Sequence, residues 1–226
     1  MNRTVFFFLF SFITLGVFAQ ENDSIDFASY MKSIVRDSTS QYFYPKLREK
    51  VKTNPADLTV EDCFYLYYGE IFQTNFTYKS IGGGLSFLRN PERANFDKAA
   101  MSGNCKKAIQ LGKIMLDRNP VDLTVLLHTS VCIDKQKKYV DEDYIPQRFR
   151  NLLTAIFSTG DGKTKETAIK IVNMEDDYVL KGVLGFLGGE EKLLFDGNRS
   201  YSVWTKGKNV LYFEDIVNGE GLILPK

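Results

Sequence analysis

The sequence predicts an α+β fold, in which tetratricopeptide-like helical hairpins or a helical bundle precede a small antiparallel β-sheet. Three observations predict this arrangement. Apolar residues recur at helical spacing between residues 24 and 158. One seven-residue phrase occurs twice among these predicted helices. Beyond residue 158, short β-branched and aromatic segments alternate with turns rich in glycine and charge.

The N-terminus is a predicted secretory signal peptide, residues 1–19. Arg3 precedes an apolar run at 5–18, which is shorter than the roughly 20 residues needed to cross a bilayer. Ala19 is the small residue at its end, so we expect cleavage between Ala19 and Gln20. An uncleaved anchor is the alternative. The prediction is an exported protein, periplasmic or secreted, without stable membrane insertion after cleavage.

The rest of the chain is predicted to divide into a helical part at 20–158 and a small antiparallel β part at 159–226, packed on it. Removal of Arg3 with the signal peptide leaves 28 basic and 28 acidic residues. This balance provides no electrostatic attraction to nucleic acid or to an anionic membrane. The expected partner is therefore another envelope protein or a peptide.

Five apolar stripes predict the helices of the first part. Each stripe follows the i, i+3, i+4, i+7 spacing of one helical face. They lie at 27–35, 60–71, 108–116, 123–131 and 145–156. The short connections between them favour a bundle or stacked hairpins.

The repeated phrase reads NPADLTV at 54–60 and NPVDLTV at 119–125. Proline suits the first position of a helix, and the preceding asparagine suits the N-cap, so each phrase is predicted to end one helix and begin the next. The spacing of 65 residues is close to twice the tetratricopeptide period of about 34. The opening-helix signature of that repeat is absent, and convergent capping chemistry is the alternative explanation.

Four short segments predict the strands of the sheet. They lie at 168–172, 192–195, 201–204 and 210–217, with turn signals between them. The segment at 174–184 predicts an additional helical turn between the first two strands.

Several segments resemble an exported bacterial family, domain-of-unknown-function family 4919. They are YYGEIF, KKAIQLGKIMLDRNPVDL, GDGKTKETAIKIV, EDDYVLKGVLGF and NVLYFEDI. The resemblance extends over nearly all of the chain after residue 19. It implies export and a single structural unit, and it implies no activity, ligand or catalytic residue.

The sequence contains no recognisable catalytic, cofactor or metal motif. GDGKT at 160–164 lacks the earlier glycine that a phosphate-binding loop requires. His128 is the single histidine and lies inside a predicted helix, where a packing role is favoured. The acidic cluster at 175–177 lacks the spaced ligands of a calcium loop. We therefore expect no catalytic residue, no cofactor and no metal.

The segment FYLYYGEIF carries more aromatic residues than one buried stripe requires. Tyr65 falls off the predicted buried face, and with Tyr68 and Phe72 it forms a candidate partner-binding surface. Core packing with a rim of tyrosines is the alternative. The favoured function is a non-catalytic module of the envelope that binds a protein or a peptide.

A small hydrolase acting on glycan or peptide is the alternative function. Its carboxylates would be drawn from Glu70, Glu175 and Asp177 at the junction of helices and sheet. The sequence does not place two of them together, so an enzymatic role is left open and is the less favoured reading.

Cys105 and Cys132 are candidates for a disulfide because they are equidistant from the corner at Asn119. Oxidising export would permit the bond. Cys132 lies one position beyond the apolar stripe of its helix, so two free thiols are the alternative. Cys63 is expected to stay unpaired as a small apolar residue.

Overall fold

Helices occupy most of the described chain before residue 158, and strands most of it after that point. The structure is a computed structural model that describes residues 23–73, 91–136 and 144–217. The predicted signal peptide and its cleavage site lie outside these residues. The helices are α1 (Asp23–Arg36), α2 (Tyr44–Thr53), α3 (Val60–Gly69), α4 (Pro91–Met101), α5 (Cys105–Arg118), α6 (Leu123–Lys135), α7 (Tyr144–Phe157) and α8 (Asp176–Val183). Short 3-10 helices span Pro55–Asp57 and Glu70–Phe72.

The strands are β1 (Ile169–Ile171), β2 (Glu190–Asp196), β3 (Arg199–Lys206) and β4 (Asn209–Asp215). They form one sheet in the order β1-β4-β3-β2. The antiparallel meander β2-β3-β4 agrees with the prediction, whereas β1 runs parallel to β4, with Ile169 opposite Phe213. The sheet is therefore mixed. Helix α8 and the β2-β3 hairpin together supply the long connection that a parallel pair requires.

Helix α3 lies at the centre of the helical part and packs against α1, α2 and α7. Its N-terminus is fixed by a capping box, in which Thr59 and Asp62 exchange hydrogen bonds with each other's backbone N–H groups. Because neighbours cover α3 on three sides, nearly all of its residues are buried. A prediction based on a single apolar stripe therefore underestimates how much of α3 is buried.

Both copies of the repeated phrase end one helix and begin the next, as predicted, but the predicted caps are wrong. Asn54 and Asn119 are the C-caps of α2 and α5. The N-caps are Thr59 for α3 and Asp122 for α6. The first phrase has an acidic residue three positions after its threonine and forms a capping box. The second has leucine there, so the aspartate caps instead.

The helices α4, α5 and α6 pack on one another in sequence order. Helix α4 was not predicted because its buried residues, chiefly Phe96 and Ala99, form too short an apolar stripe. The tetratricopeptide-like interpretation is not confirmed, whereas the α+β class is. The helical turn predicted at 174–184 is the complete helix α8.

The main apolar core joins the helices to one face of the sheet. That face contributes Ile169, Ile171, Trp204, Leu211 and Phe213 to the same cluster as the helical residues. A smaller cluster with Ala168, Tyr201 and Val203 lies on the other face. Among the described helices, none is long and apolar enough to span a membrane.

Candidate functional site

The aromatic residues proposed for partner binding lie in the core. Tyr65, Tyr68 and Phe72 are only 8%, 0% and 6% exposed. The expectation that Tyr65 lies off the buried face is therefore wrong. Its ring stacks on that of Tyr42, with centroids 4.1 Å apart, and its hydroxyl lies 3.3 Å from the hydroxyl of Tyr30. Neighbouring elements cover the side of α3 that the sequence pattern assigned to solvent.

The hydroxyls of Tyr67 and Tyr68 join α3 to the β part, which a phenylalanine at either position would not do. Tyr68 donates to the carbonyl oxygen of Lys170 on β1 at 2.9 Å. Tyr67 donates to Asp176 at 2.7 Å and accepts from the backbone N–H of Val172 at 3.2 Å. The surplus of aromatics in FYLYYGEIF is thus explained by buried rings with satisfied polar ends.

The three carboxylates considered for a hydrolase belong to different networks. Glu70 accepts a short hydrogen bond from the hydroxyl of Tyr44. Glu175 occupies the N-cap position of α8 without a side-chain capping bond. Asp177 accepts from Ser202 Oγ at 2.5 Å and from Trp204 Nε1 at 2.8 Å.

The structure pairs Asp177 with Glu191, a residue that sequence reasoning did not select. Glu191 lies 3.1 Å from the same Ser202 hydroxyl. The pKa of Asp177 is raised to about 6, chiefly by burial and also by the nearby Glu191 carboxylate, whereas the hydrogen bonds from Ser202 and Trp204 lower it. Asp177 is nevertheless fully buried, so a substrate has no access to this carboxyl. The pair therefore does not provide an accessible acid and base.

The acidic cluster at 175–177 points in divergent directions, because Asp176 accepts from α3 and Asp177 from β3. Within the described ranges, no group of three His, Cys, Asp or Glu side chains has the geometry to hold a metal ion. His128 is half-buried, and its ring makes an edge contact with Phe96 at 6.4 Å between centroids. Burial lowers the pKa of His128.

A cleft of about 340 Å³ opens between α2, α5 and α7 and passes the 3-10 helix at Pro55. Its apolar lining comes from Val51, Pro55, Leu116 and Ile145. Its charged lining comes from Lys52, Lys113, Asp117 and Arg148. Tyr144 completes the wall. The cleft therefore combines apolar walls with three cationic side chains and one carboxylate.

Arg148 is the unusual residue of this cleft. It is only 3% exposed, and within the described part of the chain its Nε has no hydrogen-bond partner. The pKa of Arg148 is lowered to about 10, chiefly by burial. Cys63 and Tyr144 act to raise this pKa, and the charge of Arg48 acts to lower it. A buried guanidinium normally has an acceptor for each of its N–H groups. The cleft thus presents an incompletely satisfied cation.

The helices around Arg148 are held in place by hydrogen bonds that do not involve it. Arg48 on α2 donates to the carbonyl oxygens of Asp117 and Arg118 at 2.6 and 3.0 Å, which caps the end of α5. Asn151 on α7 donates to the carbonyl oxygen of Leu58 at 2.7 Å. The cleft is therefore preformed, and Arg148 is not needed as a bridge between its walls.

The sequence contained a signal for Arg148 that the apolar pattern alone did not show. Arg148 lies three residues after Ile145 and four before Leu152, on the buried stripe of its own helix. A cation on such a stripe either pairs with a buried carboxylate or faces a cavity. Only the arrangement of the three helices distinguishes these possibilities.

Cys105 and Cys132 form a disulfide in the structure, with their Cα atoms 4.9 Å apart. This separation lies within the usual range for the bond. It connects the beginning of α5 to the end of α6. Cys63 is a buried free cysteine, and burial raises the pKa of its thiol to about 12.

Comparison with known proteins gives a family and no function. The model of a family described as a domain of unknown function, DUF4919, matches residues 29–214. No curated protein and no solved structure matches the chain.

Proposed function

The chain belongs to the DUF4919 family, and we propose that it is an exported, non-catalytic binding protein of the cell envelope. Its cleft between α2, α5 and α7 would receive an anionic group carried by a protein or peptide partner. Export is inferred from the N-terminal sequence alone. The binding role is inferred from the cleft.

The observation that carries this proposal is the buried Arg148 with its unpartnered Nε. Lowering the pKa of an arginine from 12.5 to about 10 corresponds to roughly 3 kcal/mol between its charged and neutral forms. Among the described residues, no ion pair offsets this cost. An anionic ligand in the cleft would supply the missing countercharge, and a fork-shaped contact with an anion is the one that guanidinium makes best.

The surroundings of Arg148 support an anion in preference to a neutral ligand. Lys52 is exposed at the rim and adds positive charge, beside the carboxylate of Asp117. Charge of one sign in a concave site raises the local concentration of the opposite ion. The apolar walls favour an anion that is attached to an apolar group.

The proposal is tested by thermal melting in the presence of simple anions, with acetate and inorganic phosphate as probes. A ligand that binds only the folded state raises the melting temperature in a saturable way. We expect such a rise for the unmodified protein, and its loss in Arg148→Met. We also expect Arg148→Met to melt at an equal or higher temperature without anion, since the variant removes an uncompensated buried charge.

Arg150→Met is the matched control. Arg150 lies on the same helix but is exposed, and its one side-chain hydrogen bond among the described residues goes to Gln147 at 2.9 Å. This variant should keep the full response to anions. Absence of any saturable rise in the unmodified protein would contradict the proposal. So would an Arg148→Met protein that melts several degrees lower, because Arg148 would then be part of the structural framework.

A further inference from the structure

We propose that the group bound in the cleft is the C-terminal carboxylate of a peptide whose last side chain is apolar. This inference rests on the proposed function, because it names the ligand of the same site. It follows from the depth of Arg148, from the position of the apolar walls and from the carboxylate of Asp117 at the rim.

The depth of Arg148 limits which part of a peptide reaches it. Because Arg148 is 3% exposed beneath the opening, a ligand must enter the cleft with an end or a side chain. The internal backbone of a peptide carries no net charge. The candidate anions of an unmodified peptide are therefore its terminal carboxylate and its aspartate or glutamate side chains.

The apolar walls distinguish these two anions. Val51, Leu116 and Ile145 are buried residues that line the same small space as Arg148. A terminal carboxylate is attached to the Cα that bears the last side chain, so an anion and an apolar group enter together. An aspartate or glutamate side chain brings its carboxylate without an adjacent apolar group for the part of these walls that faces the cleft.

The rim supplies a third feature that a peptide end matches. Asp117 is exposed at the opening and is the one carboxylate among the described residues of the lining. It adds no affinity for a free anion and repels one. It is suited to accept the backbone N–H of the residue that enters the cleft. Capture of a terminal carboxylate by converging donors is an established mode of peptide recognition.

The volume of the cleft agrees with the size of one peptide end. About 340 Å³ lies near the lower limit of ligand pockets, which span roughly 300–1,000 Å³. The cleft therefore accommodates the end of a chain and excludes a folded domain. An inorganic phosphate would fill only part of it and would make no use of the apolar walls.

The experiment compares two pools of hexapeptides that differ only at the C-terminus. Both are randomised at the first five positions and end in leucine, one as the free acid and one as the amide. Retention on the immobilised protein is measured by mass spectrometry, and selected peptides are then titrated individually. We expect the free acids to bind at least tenfold more tightly than their amides, and Arg148→Met to abolish the difference. Arg148→Lys should retain part of it, and Arg150→Met all of it.

The outcomes separate this inference from the proposed function. Equal binding of acid and amide would overturn the inference. If the retained amides contain internal aspartate or glutamate and depend on Arg148, the anion site stands and its ligand is an acidic side chain. If only inorganic phosphate raises the melting temperature, the inference fails and a phosphate site is indicated. If no peptide is retained and no simple anion raises the melting temperature, both proposals fail.

Discussion

Asp177 couples the stability of the protein to pH. Its carboxyl is fully buried and its pKa is raised from 3.8 to about 6, chiefly by burial. The folded state therefore keeps its proton between these two values, whereas the unfolded state releases it. The contribution of Asp177 to the free energy of unfolding is highest below the unfolded pKa of 3.8. It falls as the pH rises to about 6, by roughly 3 kcal/mol at most. The charged groups that act on Asp177 are Glu191 and Lys181.

We expect Asp177→Asn to remove this pH dependence. Asparagine keeps an oxygen that accepts from Ser202 and Trp204 but has no proton to release. The variant should be more stable than the unmodified protein at pH 7–8, by up to about 3 kcal/mol, and nearly equal to it at pH 4. Urea unfolding followed by the fluorescence of Trp204, the single tryptophan, measures this from pH 4 to 8.

Asp196→Asn is the control for this experiment. Asp196 is exposed, and a hydrogen bond from Lys165 lowers its pKa, so its effect on the pH profile has the opposite sign. An Asp177→Asn protein with the same pH profile as the unmodified protein would show that Asp177 is ionised in the folded state throughout this range.

Tyr65 gives a second prediction at the scale of the residue. Because the ring is buried against Tyr42, we expect Tyr65→Ala to lower the free energy of unfolding by roughly 3 kcal/mol or more. Tyr30→Ala should cost less, because Tyr30 is 51% exposed. Thermal melting of both variants measures the difference. An unchanged melting temperature for Tyr65→Ala would contradict the buried position and restore Tyr65 as a surface residue.

The contact between α5 and α6 depends on a glycine. A Cβ added to Gly112 would overlap Oγ1 of Thr129 and lie 3.2 Å from Phe96 Cε2. Thr129 is fully buried, so the overlap falls inside the packed contact between the two helices. We expect Gly112→Ala to destabilise the protein by about 1–3 kcal/mol, although alanine is the better helix former. Chemical denaturation measures this change.

Gly182→Ala is the matched control, since Gly182 is also helical but its added Cβ meets nothing closer than 3.7 Å. It should be neutral or should stabilise the protein by up to about 1 kcal/mol. Equal effects of the two substitutions would mean that α5 and α6 do not approach each other as the structure describes.

Individual elements were predictable where local chemistry determines them. The four strands were expected from their β-branched and aromatic residues, and each helix boundary at the repeated phrase was expected from proline and asparagine. The parallel pairing of β1 with β4 was not predictable, because it depends on where the chain returns after α8. The caps at Thr59 and Asp122 were missed because the two nearly identical phrases are followed by different residues.

The cleft belongs to the scale of the whole molecule, and this is why the sequence did not predict it. Its lining comes from three separate stretches, 51–55, 113–117 and 144–148. The first overlaps the start of the repeated phrase, and none of them carries a binding or catalytic motif. The conspicuous feature of the sequence, the aromatic helix α3, is instead the centre of the core. A buried cation that faces a cavity became recognisable only once the three helices were assembled.

The last prediction concerns the whole chain in its native compartment. If residues 1–19 are removed on export, the intact mass of the protein from its host should correspond to a chain that begins at Gln20. The oxidising compartment should preserve the bond between Cys105 and Cys132. Alkylation under denaturing conditions should then label one thiol, Cys63, without reductant and three with it. A mass that retains residues 1–19 would refute cleavage and remove the main argument for export. Three thiols labelled without reductant would refute the disulfide but leave cleavage unaffected.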